Sequence, residues 1–394
     1  MAGAYRPFLR RWPLSVLNAL TSAFASESPQ FYAGAQTLGL LGAVRAGGIA
    51  GTAGLMLNAA ALAGLAGLAG DADRSARVLA EALREAGVPD ADQVPARRPG
   101  GVLPGHVARR RYRRVADVSY SEYGPYGTLD VWHHADLAPD ARAPVLLQVH
   151  GGAWQMGDKV GQAEPMLGYF AQRGWVCVTV NYRLAPANRW PAMIVDVKRA
   201  IAWTRENIAG HGGDPGFVAV TGGSAGGHLA ALAALSANDP DYQPGFTEVD
   251  TTLAAAVPMY GVHDFTRDRQ GLWPLLEGKI FGTSYADDER SWRQASPALR
   301  IDSRTPPFLV VHGSTDAIVG VEQSRRFAEA LRAGSPSPVG YAELPHAQHG
   351  FDTVATTRTA YTAGAVYRFL TAAHDRAMAS RAGETGRNTA GMAR

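Results

Sequence analysis

Short runs of consecutive apolar residues, "APVLLQV", "GWVCVTVNY", "GFVAV", "LAAAVPMY" and "PPFLVV", punctuate the chain between residues 143 and 311. Strands buried on both faces read this way, because a covered parallel sheet has no solvent face on which polar residues alternate. Between the runs, apolar positions recur every three or four residues, the period of an amphipathic helix. "PAMIVDVKRAIAWTRENIA", "AGGHLAALAALSA", "GVEQSRRFAEALRAG" and "TTRTAYTAGAVYRFLTAAHDRAM" have this form. "RRVADVSYSEYG" and "TLDVWHHAD" predict an antiparallel pair ahead of the first buried strand, and "VGYAELPHA" predicts the last strand. Eight strands with interleaved helices predict a mostly parallel sheet with helices on both faces, spanning residues 113–377.

Ahead of this region the pattern changes. Residues 46–70 carry no charge; nine are Ala, seven are Gly, and seven are large and apolar. The stretch is long enough to cross a bilayer, but its many small residues leave the insertion energy marginal. A spanning helix, docking on a membrane surface, and a soluble helical layer packed through small residues are all compatible with it. Membrane association through residues 31–70 is therefore an expectation, with a cell-envelope location, or otherwise a cytoplasmic one. Arg6, Arg10 and Arg11 precede "WPLSVLNALTSAFA", which admits a cleaved signal peptide with a poor apolar core as an alternative. Residues 71–86 predict an amphipathic helix ended by Gly87 and Pro89. The chain then divides into an apolar helical region (1–86), a Pro- and Arg-rich linker (87–112), the α/β region (113–377) and a disordered tail (378–394).

Composition narrows the functional classes. With 394 residues and 46% hydrophobic content the chain buries a large core. A formal net charge of +3 is small for this length, and no basic patch is interleaved with aromatic residues, which argues against a nucleic-acid reader. The single cysteine, Cys177, excludes an internal disulfide and a Cys-based zinc site, and its apolar neighbours predict a buried, inert thiol. Oligomeric state is not legible.

Chemistry concentrates at "VTGGSAGGHLA", residues 220–230. The strand "FVAV" runs into Gly222, Gly223, Ser224, Ala225 and Gly226, and an alanine-rich helix follows at once. A serine on such a strand-to-helix turn is held in a strained conformation that lifts its hydroxyl above the sheet. The free amides of the helix N-terminus then face developing negative charge. A serine hydroxyl also needs a base, and the base needs a carboxylate to fix its tautomer. Asp316 follows "PPFLVVHGST" and His349 follows "VGYAELPHAQ", each at the end of a later strand, in the chain order this turn requires. His346 is the local rival as base, Asp264 the rival as acid and more simply a turn cap, and His228 a packing residue. "VHGGAW" ends another strand, so Gly151 and Gly152, with Ala225, are the expected amide donors to an oxyanion. Trp154, Asp264 and Trp273 are candidate substrate-pocket residues. The segment of about 265–295, between the sixth and seventh strands, is the expected cap.

"HGGAW", "GGSAGGHLA", "HGSTDAIV" and "HGF", in this order, resemble the α/β-hydrolase superfamily, specifically bacterial carboxylesterases related to hormone-sensitive lipase. The resemblance covers residues 113–377 and implies a serine carboxylesterase or lipase without metal or cofactor. It carries Ser224, Asp316 and His349 over as the triad, and Gly151, Gly152 and Ala225 as the oxyanion donors. Gly223 stands where those relatives usually have Asp, and His228 where Asn is common. Both positions look more like the feruloyl-esterase and kynurenine-formamidase branch. The expected substrate is a small-molecule or lipid ester; an aryl formamide or feruloyl-type ester with the same triad is the alternative, and a degenerate hydrolase acting as a binding module is the non-enzymatic one.

Overall fold

The computed structural model describes residues 2–5, 22, 23, 25–91, 112–267 and 272–392. The start of the signal-peptide alternative, most of the linker and residues 268–271 of the cap lie outside the described residues.

The apolar runs become one eight-stranded sheet. Its strands are β1 (Tyr112–Ser119), β2 (Thr128–His134), β3 (Ala143–Val149), β4 (Val176–Val180), β5 (Gly213–Gly223), β6 (Ala255–Met259), β7 (Phe308–Gly313) and β8 (Val339–Leu344). They lie in the order β1-β2-β4-β3-β5-β6-β7-β8. The pairs β1/β2 and β2/β4 are antiparallel, and every other pair is parallel. This is the α/β-hydrolase arrangement. The central strands read as unbroken apolar runs because both faces are covered: Val145, Leu147, Val178, Val218 and Val220 have no exposed surface on one side, nor have Leu146, Cys177 and Ala219 on the other. Burial in β4 pushes the Cys177 thiol pKa up, so the thiol is inert as expected.

Two N-terminal helices, α1 (Pro29–Ala46) and α2 (Gly48–Glu85), lie antiparallel to each other across the Gly47 turn. The apolar segment and the amphipathic segment that follows it form one continuous helix of 38 residues. Its second half belongs to the hydrolase core: Leu79, Ala82 and Leu83 are fully buried in the layer that also holds Leu309, Leu344 and Phe369. There is no room between helix and sheet for a larger residue at Gly340, whose Cβ would meet the backbone of Ala82. Gly87 ends α2 in a left-handed conformation (φ 61°), with Val88 N–H closing on Leu83 C=O at 2.9 Å.

The helices around the sheet are α3 (Glu164–Ala171), α4 (Ala192–Asn207), α5 (Ala225–Leu235), α6 (Glu289–Gln294), α7 (Glu322–Gly334) and α8 (Thr357–Met392). Helix α8 continues through most of the segment that composition predicts as a disordered tail. Arg381 ties that continuation to the sheet by pairing with Asp214 at 3.1 Å.

Candidate active site

Three loops at the carboxyl ends of β5, β7 and β8 converge. Ser224 sits between β5 and α5 with φ 59° and ψ −122°, a conformation held because the turn has no room to relax. A Cβ on Gly226 would press on the His150 carbonyl carbon at 2.8 Å, and one on Gly227 would meet the Met259 amide nitrogen at 3.2 Å. The small residues after the serine therefore let α5 start hard against the sheet.

His349 Nε2 lies 2.8 Å from Ser224 Oγ, and its Nδ1 lies 2.7 Å from Asp316 Oδ2. The histidine thus bridges a hydroxyl and a carboxylate from residues far apart in the chain. Asp316 is fixed from behind: its Oδ1 accepts the amides of Ile318 and Val319 at 2.8 and 2.9 Å. His312, fully buried on β7, places Nε2 3.3 Å from Asp316 Oδ2 and Nδ1 2.7 Å from Ser324 Oγ. Burial works to raise the Asp316 pKa, but the His349 and His312 imidazoles beside it outweigh that and hold the carboxyl well below the usual carboxylate range. It is ionised at any working pH. Of the two histidines in the β8 loop, His349 reaches the serine, while His346 turns away to Asp71 of α2 at 2.7 Å.

The loop after β3 departs from expectation at one position. The Gly151 amide donates to Gln162 Oε1 at 2.8 Å, so it does not point into the site. Gln162 competes for that donor because its side-chain amide lies against the whole Gly151 peptide, with Nε2 3.4 Å from the carbonyl oxygen. Among the described residues, no acceptor takes the amides of Gly152 or Ala153. Both residues have positive φ, 125° and 52°. At Gly152 a Cβ would overlap the Met156 carbonyl, whose carbon lies 2.6 Å away, so only glycine fits. The Gly151 amide, expected as a donor, is thus occupied by Gln162, whereas those of Gly152 and Ala153 carry no partner among the described residues.

The loop is anchored by a buried polar relay. Trp154, also at positive φ (59°), is 2% exposed, and its indole N–H donates to His228 Nδ1 at 3.1 Å. His228 Nε2 then donates to the Ala295 carbonyl in the cap at 2.8 Å. Burial lowers the His228 pKa to about 4, so the ring is neutral and this tautomer is fixed by its two neighbours. His228 therefore joins the loop after β3, helix α5 and the cap, and Trp154 is packed in the interior. His150 is also held neutral, burial lowering its pKa to about 4, while its ring stacks on Tyr182 at 4.3 Å.

Asp264 caps its own turn, accepting the Thr266 amide at 2.8 Å, and lines a small recess with Val262, Phe265 and Val319 beside the Asp316 loop. Trp273 packs within the cap, its ring tilted against that of Trp292 at 4.6 Å. Sequence reasoning misses Gln162, His312, Tyr260 and Asp352. The Tyr260 hydroxyl bonds the buried Asp352 carboxylate, and its ring meets the His349 ring edge-on at 4.8 Å. His312 stands inside the "HGSTDAIV" block that delivers the acid, the one signal by which any of the four was findable.

Residues 129–331 match the family described as BD-FAE. Over 328 residues the chain is 46% identical to Esterase LipQ of Mycobacterium tuberculosis, covering 79% of this chain and 78% of that protein. Over 265 residues it is 50% identical to the probable carboxylic ester hydrolase LipM of the same organism, covering 66% of this chain and 62% of LipM, less than two thirds of its length. Among solved structures, the thermophilic esterase Est2 of Thermogutta terrifontis matches with 29% identity and a TM-score of 0.51, over 60% of this chain and 82% of that one. The same esterase has been solved phosphonylated by sarin.

Proposed function

Because the chain belongs to the carboxylesterases of the α/β-hydrolase superfamily, we propose that it hydrolyses carboxylic esters by acyl transfer through Ser224, His349 and Asp316. The observation that carries this reading is the continuous chain from Ser224 Oγ to His349 Nε2 and from His349 Nδ1 to Asp316, at 2.8 and 2.7 Å. Ionised Asp316 accepts a hydrogen bond from the Nδ1–H of His349, which fixes the tautomer whose Nε2 is free to take the Ser224 proton as the oxygen attacks the ester carbonyl. The amides of Gly152, Ala153 and Ala225 meet the oxyanion, an interaction typically worth about 3 kcal/mol for each donor. His349 then protonates the leaving alcohol. A water molecule, activated by the same nitrogen, releases the acid and restores Ser224.

A second substrate reading, an aryl formamide or feruloyl-type ester, draws on Gly223 and His228, the positions that set this chain apart from hormone-sensitive-lipase relatives. The apolar N-terminal helix supports a further element: association with a membrane, and so access to lipid-borne esters. The test is hydrolysis of short-chain and long-chain p-nitrophenyl esters, an aryl formamide and a feruloyl ester by wild type and Ser224→Ala, with fluorophosphonate labelling of both. Wild-type turnover and labelling, both lost in the variant, are expected. A labelled Ser224→Ala protein, or a wild type inert toward all four substrates, would remove the proposal.

A further inference from the structure

We propose that α1 and α2 form a two-pass hairpin through a lipid bilayer, with the hydrolase and both feet of the hairpin on one side and the Gly47–Gly48 turn on the other. This deepens the membrane reading above and is independent of the catalytic one.

Charge distribution along the hairpin is the first observation. Residues 29–70 contain a single Asp, Glu, Lys or Arg: Arg45, two residues before the turn. The flanking charges, Glu27 and Asp71, both lie at the base and are buried against the hydrolase. Helix α1 has 18 residues, so at 1.5 Å per residue it reaches roughly 27 Å, close to the roughly 30 Å of a bilayer's hydrocarbon. The uncharged part of α2 is longer. An arm of that length delivers Arg45 to the far headgroups, where a guanidinium meets lipid phosphate.

The surface of the hairpin is the second. Leu38, Leu41, Val44, Ile49, Met56 and Leu57 are each more than half exposed, Ile49 at 92%. Met56 and Leu57 are adjacent on a helix and so point about 100° apart, with Leu55, also exposed, a further step round. A protein partner or a second copy of the chain covers one face of a helix; hydrocarbon surrounds all of them. Three polar side chains of the arms fit the same surroundings. Thr37, Thr52 and Asn58 donate to carbonyls one turn back in their own helices, at 2.9, 3.0 and 2.8 Å, which is how such groups are satisfied where no water reaches. The two arms touch through small residues, Gly51 and Gly54 of α2 lying against Ala43 of α1.

Attachment of both feet fixes the topology. Arg358 at the start of α8 is fully buried; it bonds Glu27 just before α1, Ser75 of α2 at 3.2 Å and the Pro345 carbonyl at 3.0 Å. Asp71 pairs with His346, three residues from His349. Both arms therefore leave from the loop that carries the catalytic histidine, and the hydrolase faces the membrane there.

The test uses the full chain in sealed membrane vesicles of known sidedness. Native Cys177 is buried, so single thiols introduced by Ala46→Cys at the turn and by Asp136→Cys on the hydrolase surface report alone to a membrane-impermeant maleimide. One is expected to react in intact vesicles and the other only after detergent, with the chain remaining in the pellet through carbonate washing. Reaction of both thiols from the same side would reduce the hairpin to one that dips into a single leaflet, and release by carbonate would remove it from the bilayer; either overturns the proposal. The variant Ile49→Asp/Met56→Asp/Leu57→Asp is expected to move to the carbonate-soluble fraction while hydrolysing a water-soluble short-chain ester as the parent does. Its retention in the membrane counts against the hairpin. An unaltered chain without esterase activity would sink the catalytic reading and leave the labelling outcome intact.

Discussion

Gly223 and Tyr260 claim the same space: a Cβ on Gly223 would lie 2.7 Å from Cζ of Tyr260. The tyrosine is in turn held by its bond to Asp352 and by packing against the rings of His349 and Phe351. Glycine before the nucleophile is therefore a packing requirement of this chain. Gly223→Asp, which restores the residue usual in hormone-sensitive-lipase relatives, is expected to destabilise the fold by about 1–3 kcal/mol. Tyr260→Ala in the same chain should recover part of that loss in urea unfolding. Strictly additive losses would show that the two positions do not compete.

The relay from Trp154 through His228 to Ala295 predicts coupling between loop and helix. His228→Asn removes the acceptor of a buried indole N–H, and Trp154→Phe removes its donor. Each is expected to lower kcat by about 10-fold and stability by about 1–3 kcal/mol. A double-mutant cycle should return a coupling of about 0.5 kcal/mol or more. Independent effects on kcat would mean that the relay does not position the oxyanion loop.

Gly152→Ala should slow turnover sharply while leaving Ser224 in place. The added methyl group meets the Met156 backbone, and φ 125° is unfavourable for alanine, so the loop must shift. We expect kcat to fall at least about 100-fold, the scale of one lost oxyanion donor. Gln162→Ala, which frees the Gly151 peptide, should weaken catalysis less. Steady-state kinetics on a short-chain ester distinguishes the two sites.

Acid should weaken the fold before it protonates Asp316. Burial holds the pKa of both His150 and His228 at about 4 in the folded protein, against 6.5 for an ordinary histidine. Below pH 6.5 the unfolded chain takes up protons that the folded chain refuses until about pH 4, so stability falls as pH drops through that window. Asp316, whose pKa is depressed, withdraws its contribution only at lower pH still. Urea midpoints measured from pH 7 to pH 4 should decline, and His228→Gln should flatten the decline. A midpoint constant over that range would mean that neither ring is held neutral by burial.

Much of the architecture was legible because it depends on local pattern. Runs such as "PVLLQV" and "FVAV" could bury both faces only in a covered parallel sheet, and "GGSAGG" could close only as a strand-to-helix turn. The convergence of Ser224, Asp316 and His349 was readable for the same reason: each follows its strand, and chain order fixes which loop delivers which group. The break between an apolar helix and an amphipathic one near residue 70 was misleading, since a change in polarity marks where a helix enters a protein as readily as where one ends.

What the tertiary structure alone decided is the pairing of groups that have no sequence relation. Gln162 takes the Gly151 amide; Tyr260 fills the space before Ser224; His228 gives its two nitrogens to a loop 74 residues upstream and a cap 67 residues downstream. Hydrophobic periodicity encodes which face of an element is buried, because burial acts on each residue separately. Hydrogen bonds and excluded volume act on pairs, and which atoms compete for one another is settled only when the elements have packed.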